Sequence, residues 1–194
     1  MVLSSAIYCH IHKIYPKPNP CIMAGRATGV NTACNIDKRT IFSNLMNAFE
    51  NIVSSVERLV ASDMTRDEVL RETVGILKQE RGHYDWTGIY LLEGDTLVLH
   101  NYIGKPTEHT RIAVGQGVCG TAVAERANQV VGDVTALDNY LACSLETRAE
   151  IVVLIRRGDR IFGQIDIDSD RVNAFTEEDE SLLTKVADLL ARRF

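Results

Sequence analysis

The sequence predicts an α+β fold, a central antiparallel sheet with N- and C-terminal helices packed on one face. Three observations lead there. Apolar residues recur at three- and four-residue steps towards both ends of the chain, the pattern of amphipathic helices. Between those ends the period drops to two, the pattern of strands. Two short turn signals, Glu93-Gly94-Asp95 and Gly158-Asp159, then fold the alternating stretches into hairpins.

Residues 1–39 read as a poorly ordered leader. Tyr15-Pro16-Lys17-Pro18-Asn19-Pro20 sustains neither a helix nor an inner strand. The leader lacks the apolar core and cleavage-like site of a signal peptide. His10 and His12 beside Cys9 have no fourth spaced ligand, so a structural metal site is not expected there. Residues 40–194 form the folded domain. Phe42, Leu45, Met46, Phe49, Ile52, Val53, Val56, Leu59 and Val60 line one face of a first helix, which Ser62-Asp63 breaks. Thr65-Arg66-Asp67-Glu68 is a capping box for a second, which Arg81-Gly82 should stop.

Tyr84 to Leu92 and Thr96 to His100 make the first hairpin. Trp86, Gly88 and Tyr90 share a face of its first strand, either a concave wall with room for a ligand or, as periodicity alone favours, a core face with a glycine bulge. A short strand from Thr110 to Val114 runs into Gly115-Gln116-Gly117-Val118-Cys119-Gly120-Thr121-Ala122, a glycine-punctuated turn opening a helix-like segment. Helix starts carry unpaired N–H groups that favour thiolates, although most cysteines of this kind are simply small buried hydrophobes. Asn128 to Val131 is another short strand, and Asp133 to Ala149 a long polar loop containing Cys143. Glu150 to Arg157 and Arg160 to Asp168 form the second hairpin. Thr176-Glu177-Glu178-Asp179 caps a final amphipathic helix.

Composition narrows the function classes. The net charge of −5 gives no footprint for nucleic acid or an anionic membrane surface. No apolar run is long enough to span a bilayer. Five cysteines without a C-x-x-C pair argue against a secreted disulfide scaffold and a structural zinc site, and a reducing cytoplasm is expected. On the second hairpin Asp166 and Asp168 face one way and Ile165 and Ile167 the other, while Glu150 shares a face with Val152 and Leu154. Carboxylates on so apolar a hairpin need water, a metal ion or an organic ammonium.

Several of these motifs together resemble the free methionine-(R)-sulfoxide reductases, which are GAF-domain enzymes. Trp86-Thr87-Gly88-Ile89-Tyr90, the Gly115–Ala122 turn, Ala142-Cys143-Ser144, Glu150-Ile151-Val152-Val153 and Asp166-Ile167-Asp168-Ser169 stand in the family's order and at nearly its spacing, from about Phe42 to Phe194. The resemblance implies a single GAF domain and thiol-dependent reduction of free, not protein-bound, methionine (R)-sulfoxide. By the same resemblance Cys143 is the nucleophile, Cys119 a second redox cysteine, and Glu150 a substrate-contacting acid, which the residue chemistry makes the best candidate to protonate the departing oxygen. Asp166 and Asp168 become contacts to the substrate, and Trp86 and Tyr90 the aromatics around its methylthio end. No bound cofactor or metal is implied, with electrons reaching the enzyme from NADPH through thioredoxin reductase and thioredoxin.

One position departs from the family. Ten residues before the glycine-flanked cysteine, where the family usually carries a further cysteine, this chain has His109. The expected disulfide is therefore Cys119–Cys143. Two other readings compete: a non-catalytic GAF module that binds a small ligand, favoured by the missing cysteine, and a metal-dependent hydrolase using the acid cluster. The oligomeric state stays open, a homodimer included.

Overall fold

The structure, a computed structural model, describes residues 38–136 and 146–194, with side chains from Asn47 onward. Residues 1–37 of the expected leader and Cys143 lie outside the described residues. Helix α1 (Lys38–Val60) is followed by α2 (Arg66–Glu80). Strands β1 (Trp86–Glu93), β2 (Thr96–Ile103) and β3 (Arg111–Ala113) lead to a short helix, α3 (Gly117–Glu125). Strand β4 (Gln129–Val131), β5 (Ala149–Arg157) and β6 (Arg160–Ser169) complete the sheet, and α4 (Glu177–Leu190) closes the chain with a last 3₁₀ turn.

The sheet order is β3-β2-β1-β6-β5-β4, with every neighbouring pair antiparallel. The two hairpins therefore meet at its centre, β1 against β6. Because side chains alternate along each strand, the sheet carries two different cores. On one face Ile89, Ile151, Val153, Ile155, Ile165 and Ile167 pack with Ile52, Val56, Val69, Leu70, Leu77, Leu182, Leu183 and Val186 of α1, α2 and α4. On the other, Trp86, Tyr90, Val152 and Leu154 pack with Val118, Cys119, Ala122 and Val123 of α3. The terminal helices share one face, as the apolar periodicity required, and the glycine-punctuated turn supplies the cover for the other.

Both capping boxes form. Glu68 N–H donates to Thr65 Oγ1 at 3.3 Å, and Thr65 N–H to Glu68 Oε2 at 2.8 Å. At α4, Thr176 N–H donates to Asp179 Oδ2 at 3.0 Å and Asp179 N–H to Thr176 Oγ1 at 3.4 Å. The end of α2 differs from expectation. Gly82 is not in the left-handed region; the helix stops because Arg81 turns extended, with φ −125°. Arg81 is buried and its guanidinium lies 3.2 Å from Asp179 Oδ1, so an ion pair to α4 draws the chain out of the helix. The same carboxylate is 3.4 Å from His83 Nε2 and accepts the Tyr84 hydroxyl at 2.9 Å. Burial alone would raise the pKa of Asp179, but His83, Thr176 and Arg81 outweigh it and hold the carboxyl below its ordinary range. No helix of the described residues is long and apolar enough to cross a membrane.

Candidate active site

Strand register assembles the candidate site on the α3 face. Glu150 of β5 pairs with Asp168 of β6, and Asp168 pairs in turn with Trp86 of β1. One step along, Val152, Asp166 and Gly88 form the next row. Leu154, Gln164 and Tyr90 form the third. Three of the expected acids and both expected aromatics thus stand on adjoining positions of one surface.

The acids are not a solvated strand end. Glu150 is 3% exposed, Asp166 0% and Asp168 2%; only Asp170, beyond the strand, reaches solvent. Neither oxygen of Asp166 nor of Asp168 has a hydrogen-bond partner among the described residues. Ionised carboxylates in such surroundings are costly, so the proton is favoured. Burial raises Glu150 well above its ordinary value, and the charges of Asp166 and Asp168 raise it further. Burial pushes Asp166 up to about 7, with the nearby Cys119 thiol and Glu150 carboxyl acting in the opposite direction. Asp168 is also raised well above the usual range by burial, then by Asp166, Asp170 and Asp85. Burial and the neighbouring acids thus favour a proton on Glu150 and on Asp168 alike.

Helix α3 delivers Cys119 to this surface. Gly117 adopts φ 59°, which L-residues rarely take, and the helix begins there. A Cβ on Gly120 would fall 2.4 Å from the carbonyl oxygen of Ala113, so only glycine lets the helix pack this closely on the end of β3. The result is a buried Cys119 in the first turn, its sulfur within 4.8 Å of carboxylate oxygens of both Glu150 and Asp166.

Of the two readings at Gly88, the structure takes the packed face, not the open wall. The Trp86 ring lies across that glycine, where a Cβ would come within 2.3 Å of Cη2. Gly88 therefore makes room for Trp86 itself. The indole stacks on Tyr102, with centroids 5.3 Å apart, and its Nε1–H donates to the Lys105 carbonyl at 3.2 Å. Tyr90 lies 6.4 Å from the Trp86 ring and donates its hydroxyl to the His109 carbonyl at 2.7 Å. The loop carrying His109 is tied to the site in this way. Lys105 also forms an ion pair with Glu146, where the chain returns from the segment containing Cys143. At the other end of that segment, the Val134 amide donates to the Arg148 carbonyl at 2.9 Å. Both ends lie beside the start of β5, one residue from Glu150.

The sequence reading missed Gln164. It is fully buried, and neither amide atom has a hydrogen-bond partner among the described residues. The signal was available: Gln164, Asp166 and Asp168 alternate along a strand and share its face.

Comparison with known proteins fits this arrangement. The GAF domain family model matches residues 65–194. The free methionine-R-sulfoxide reductase of Escherichia coli is 40% identical over 128 residues, covering 66% of this chain and 77% of that protein. The Saccharomyces cerevisiae protein of the same name is 31% identical over 168 residues, covering 84% and 91%. The chain belongs to the free methionine-R-sulfoxide reductase family. A solved family structure, the Neisseria meningitidis free methionine-R-sulfoxide reductase in complex with its substrate, superposes with a TM-score of 0.71 at 36% identity, covering 75% of this chain and 87% of that one. In this chain the buried acids and the aromatic pair share one sheet face, and the glycine-flanked cysteine of α3 packs against it.

Proposed function

We propose that the protein reduces the (R)-sulfoxide of free L-methionine, with Cys143 as nucleophile, Cys119 as its disulfide partner and Glu150 as proton donor. The observation that carries this reading is the set of buried carboxyls, Glu150, Asp166 and Asp168, whose aspartate oxygens have no partner in the described protein. A buried acid row of this kind suits an ammonium group, and a free amino acid has one where a residue within a peptide does not. Protonated Glu150 beside it suits an acid that must give up a proton in the reaction.

The chemistry balances in three steps. The Cys143 thiolate bonds to the sulfoxide sulfur as Glu150 protonates the sulfoxide oxygen. The oxygen passes to Cys143 as a sulfenic acid and methionine departs, its sulfur reduced by two electrons and that of Cys143 oxidised by two. The Cys119 thiol then displaces the sulfenic oxygen as water, forming the Cys119–Cys143 disulfide. A dithiol of the thioredoxin kind, recharged from NADPH, restores both thiols by exchange. The cytoplasm is the compartment that supplies such a donor. The aromatic pair Trp86 and Tyr90 forms the apolar end for the methylthio group, and the domain that does this work runs from residue 40 to 194.

NADPH-coupled turnover with thioredoxin, measured on the separated sulfoxides, tests the reading. The (R) form should be consumed and the (S) form ignored. Exclusive use of the (S) form, or binding of methionine without turnover by any thiol donor, would overturn it in favour of a different activity or a ligand-binding module.

A further inference from the structure

The acid face can carry more negative charge than one ammonium ion offsets, and a sulfur stands beside it. Cys119 Sγ, one oxygen of Glu150 and one of Asp166 all lie within 4.8 Å of one another. Asp166 is fully buried and aims into this group with neither oxygen partnered among the described residues. Asp168 stands opposite Glu150 in the adjoining row, its oxygens in the same condition. Tetrahedral zinc, with bonds of about 2.0–2.3 Å to oxygen and sulfur, sets its ligands somewhat closer together than this 4.8 Å limit. A thiolate among carboxylates selects zinc over magnesium or calcium, which prefer oxygen alone.

We propose that, in the reduced protein, Cys119, Glu150 and Asp166 form an inhibitory zinc site. The inference rests on the acid face being the ammonium pocket of the proposed reductase. Zinc displaces the protons of the Cys119 thiol and of whichever carboxyls hold one, and these go to solvent; no atom changes oxidation state. The ion occupies the place of the substrate ammonium and so competes with the sulfoxide. It also holds Cys119 as a coordinated thiolate, which withholds it from the Cys143 sulfenic acid. Closing the Cys119–Cys143 disulfide removes the sulfur ligand, so the site exists only in the reduced form. The reaction itself routes no step through the ion.

Cobalt(II) titration of the reduced full-length protein in oxygen-free buffer reads this site directly, through thiolate-to-cobalt charge-transfer absorption. The band should appear with one cobalt per chain in wild type and in Cys143→Ser, vanish in Cys119→Ser, and need at least tenfold more cobalt in Asp166→Asn. Added zinc should bleach it and, over the same range, inhibit turnover competitively with sulfoxide. Circular dichroism matching wild type establishes that each variant folds. A band that survives Cys119→Ser, or saturating zinc that leaves turnover unchanged, overturns the proposal. Cobalt binding in a wild-type protein without sulfoxide turnover would sink the reductase reading and leave the zinc site standing; turnover without the cobalt band would do the reverse.

Discussion

Glu150 and Asp168 face each other across β5 and β6, two buried carboxyls in one register pair. Neither can ionise without raising the energy of the other. The pairing keeps a proton on the row in a water-poor pocket, which is what a donor to a sulfoxide oxygen needs. Glu150→Gln removes the donated proton while leaving the shape. Turnover of the (R)-sulfoxide should drop by roughly 10²–10⁴, measured by NADPH consumption with thioredoxin. A variant within threefold of wild type would take the acid role away from Glu150.

Asp166 yields a stability prediction of opposite sense to its functional one. Its folded-state value, about 7, lies above that of an unfolded aspartate. The folded protein therefore holds this proton more tightly than the unfolded chain, and stability falls as pH rises from the unfolded value to about 7. Asp166→Asn should stabilise the ligand-free protein at pH 8 by about 1–4 kcal/mol, and the gain should disappear near pH 4. Urea unfolding at the two pH values checks this. The same variant should lose most of its affinity for the substrate.

The two cysteines separate under different assays. Cys143→Ser should form no methionine at all. Cys119→Ser should form close to one equivalent per enzyme in a single turnover with no reductant, then stall with thioredoxin at a rate at least tenfold below wild type. Mass mapping after sulfoxide treatment should find Cys119 linked to Cys143 in the wild-type protein. Sustained thioredoxin-driven turnover with Cys143 unlinked would remove Cys119 from the cycle.

Asp179 should matter for folding rather than chemistry. Its carboxylate caps α4 and at the same time serves Arg81 and Tyr84. Asp179→Ala leaves a buried guanidinium without its counter-charge and should cost about 3–5 kcal/mol in chemical denaturation. Because the folded-state pKa of Asp179 is depressed, its contribution is complete above the ordinary carboxylate range and is lost as pH falls through the folded value. The gap between variant and wild type should narrow in strong acid.

Periodicity located the helices and hairpins because each has one wet and one dry side, and that difference is written into the residue order. It also placed Asp166 and Asp168 on one face and Ile165 and Ile167 on the other. What it left open was whether the acid-bearing face was covered. That depends on α3 packing back across the sheet, and the approach is set by Gly120 against the Ala113 carbonyl, a contact between backbones that hydrophobic pattern does not encode. The buried ion pair of Arg81 was out of reach for a related reason. A cation at a helix end ordinarily faces solvent, and its partner Asp179 is far along the chain. Whether Gly88 faced open space or a packed core stayed undecided because strand alternation says where side chains point from, not where a large ring comes to rest.

Tyr90 grips the loop at position 109 by its backbone carbonyl. Every residue type presents that carbonyl, so this hydrogen bond between loop and sheet is indifferent to what stands there. A histidine can replace a thiol at this position and the wall of the pocket still closes. In the proposed cycle that exchange bears on the disulfide chemistry, while the Tyr90 anchor keeps the atom it needs.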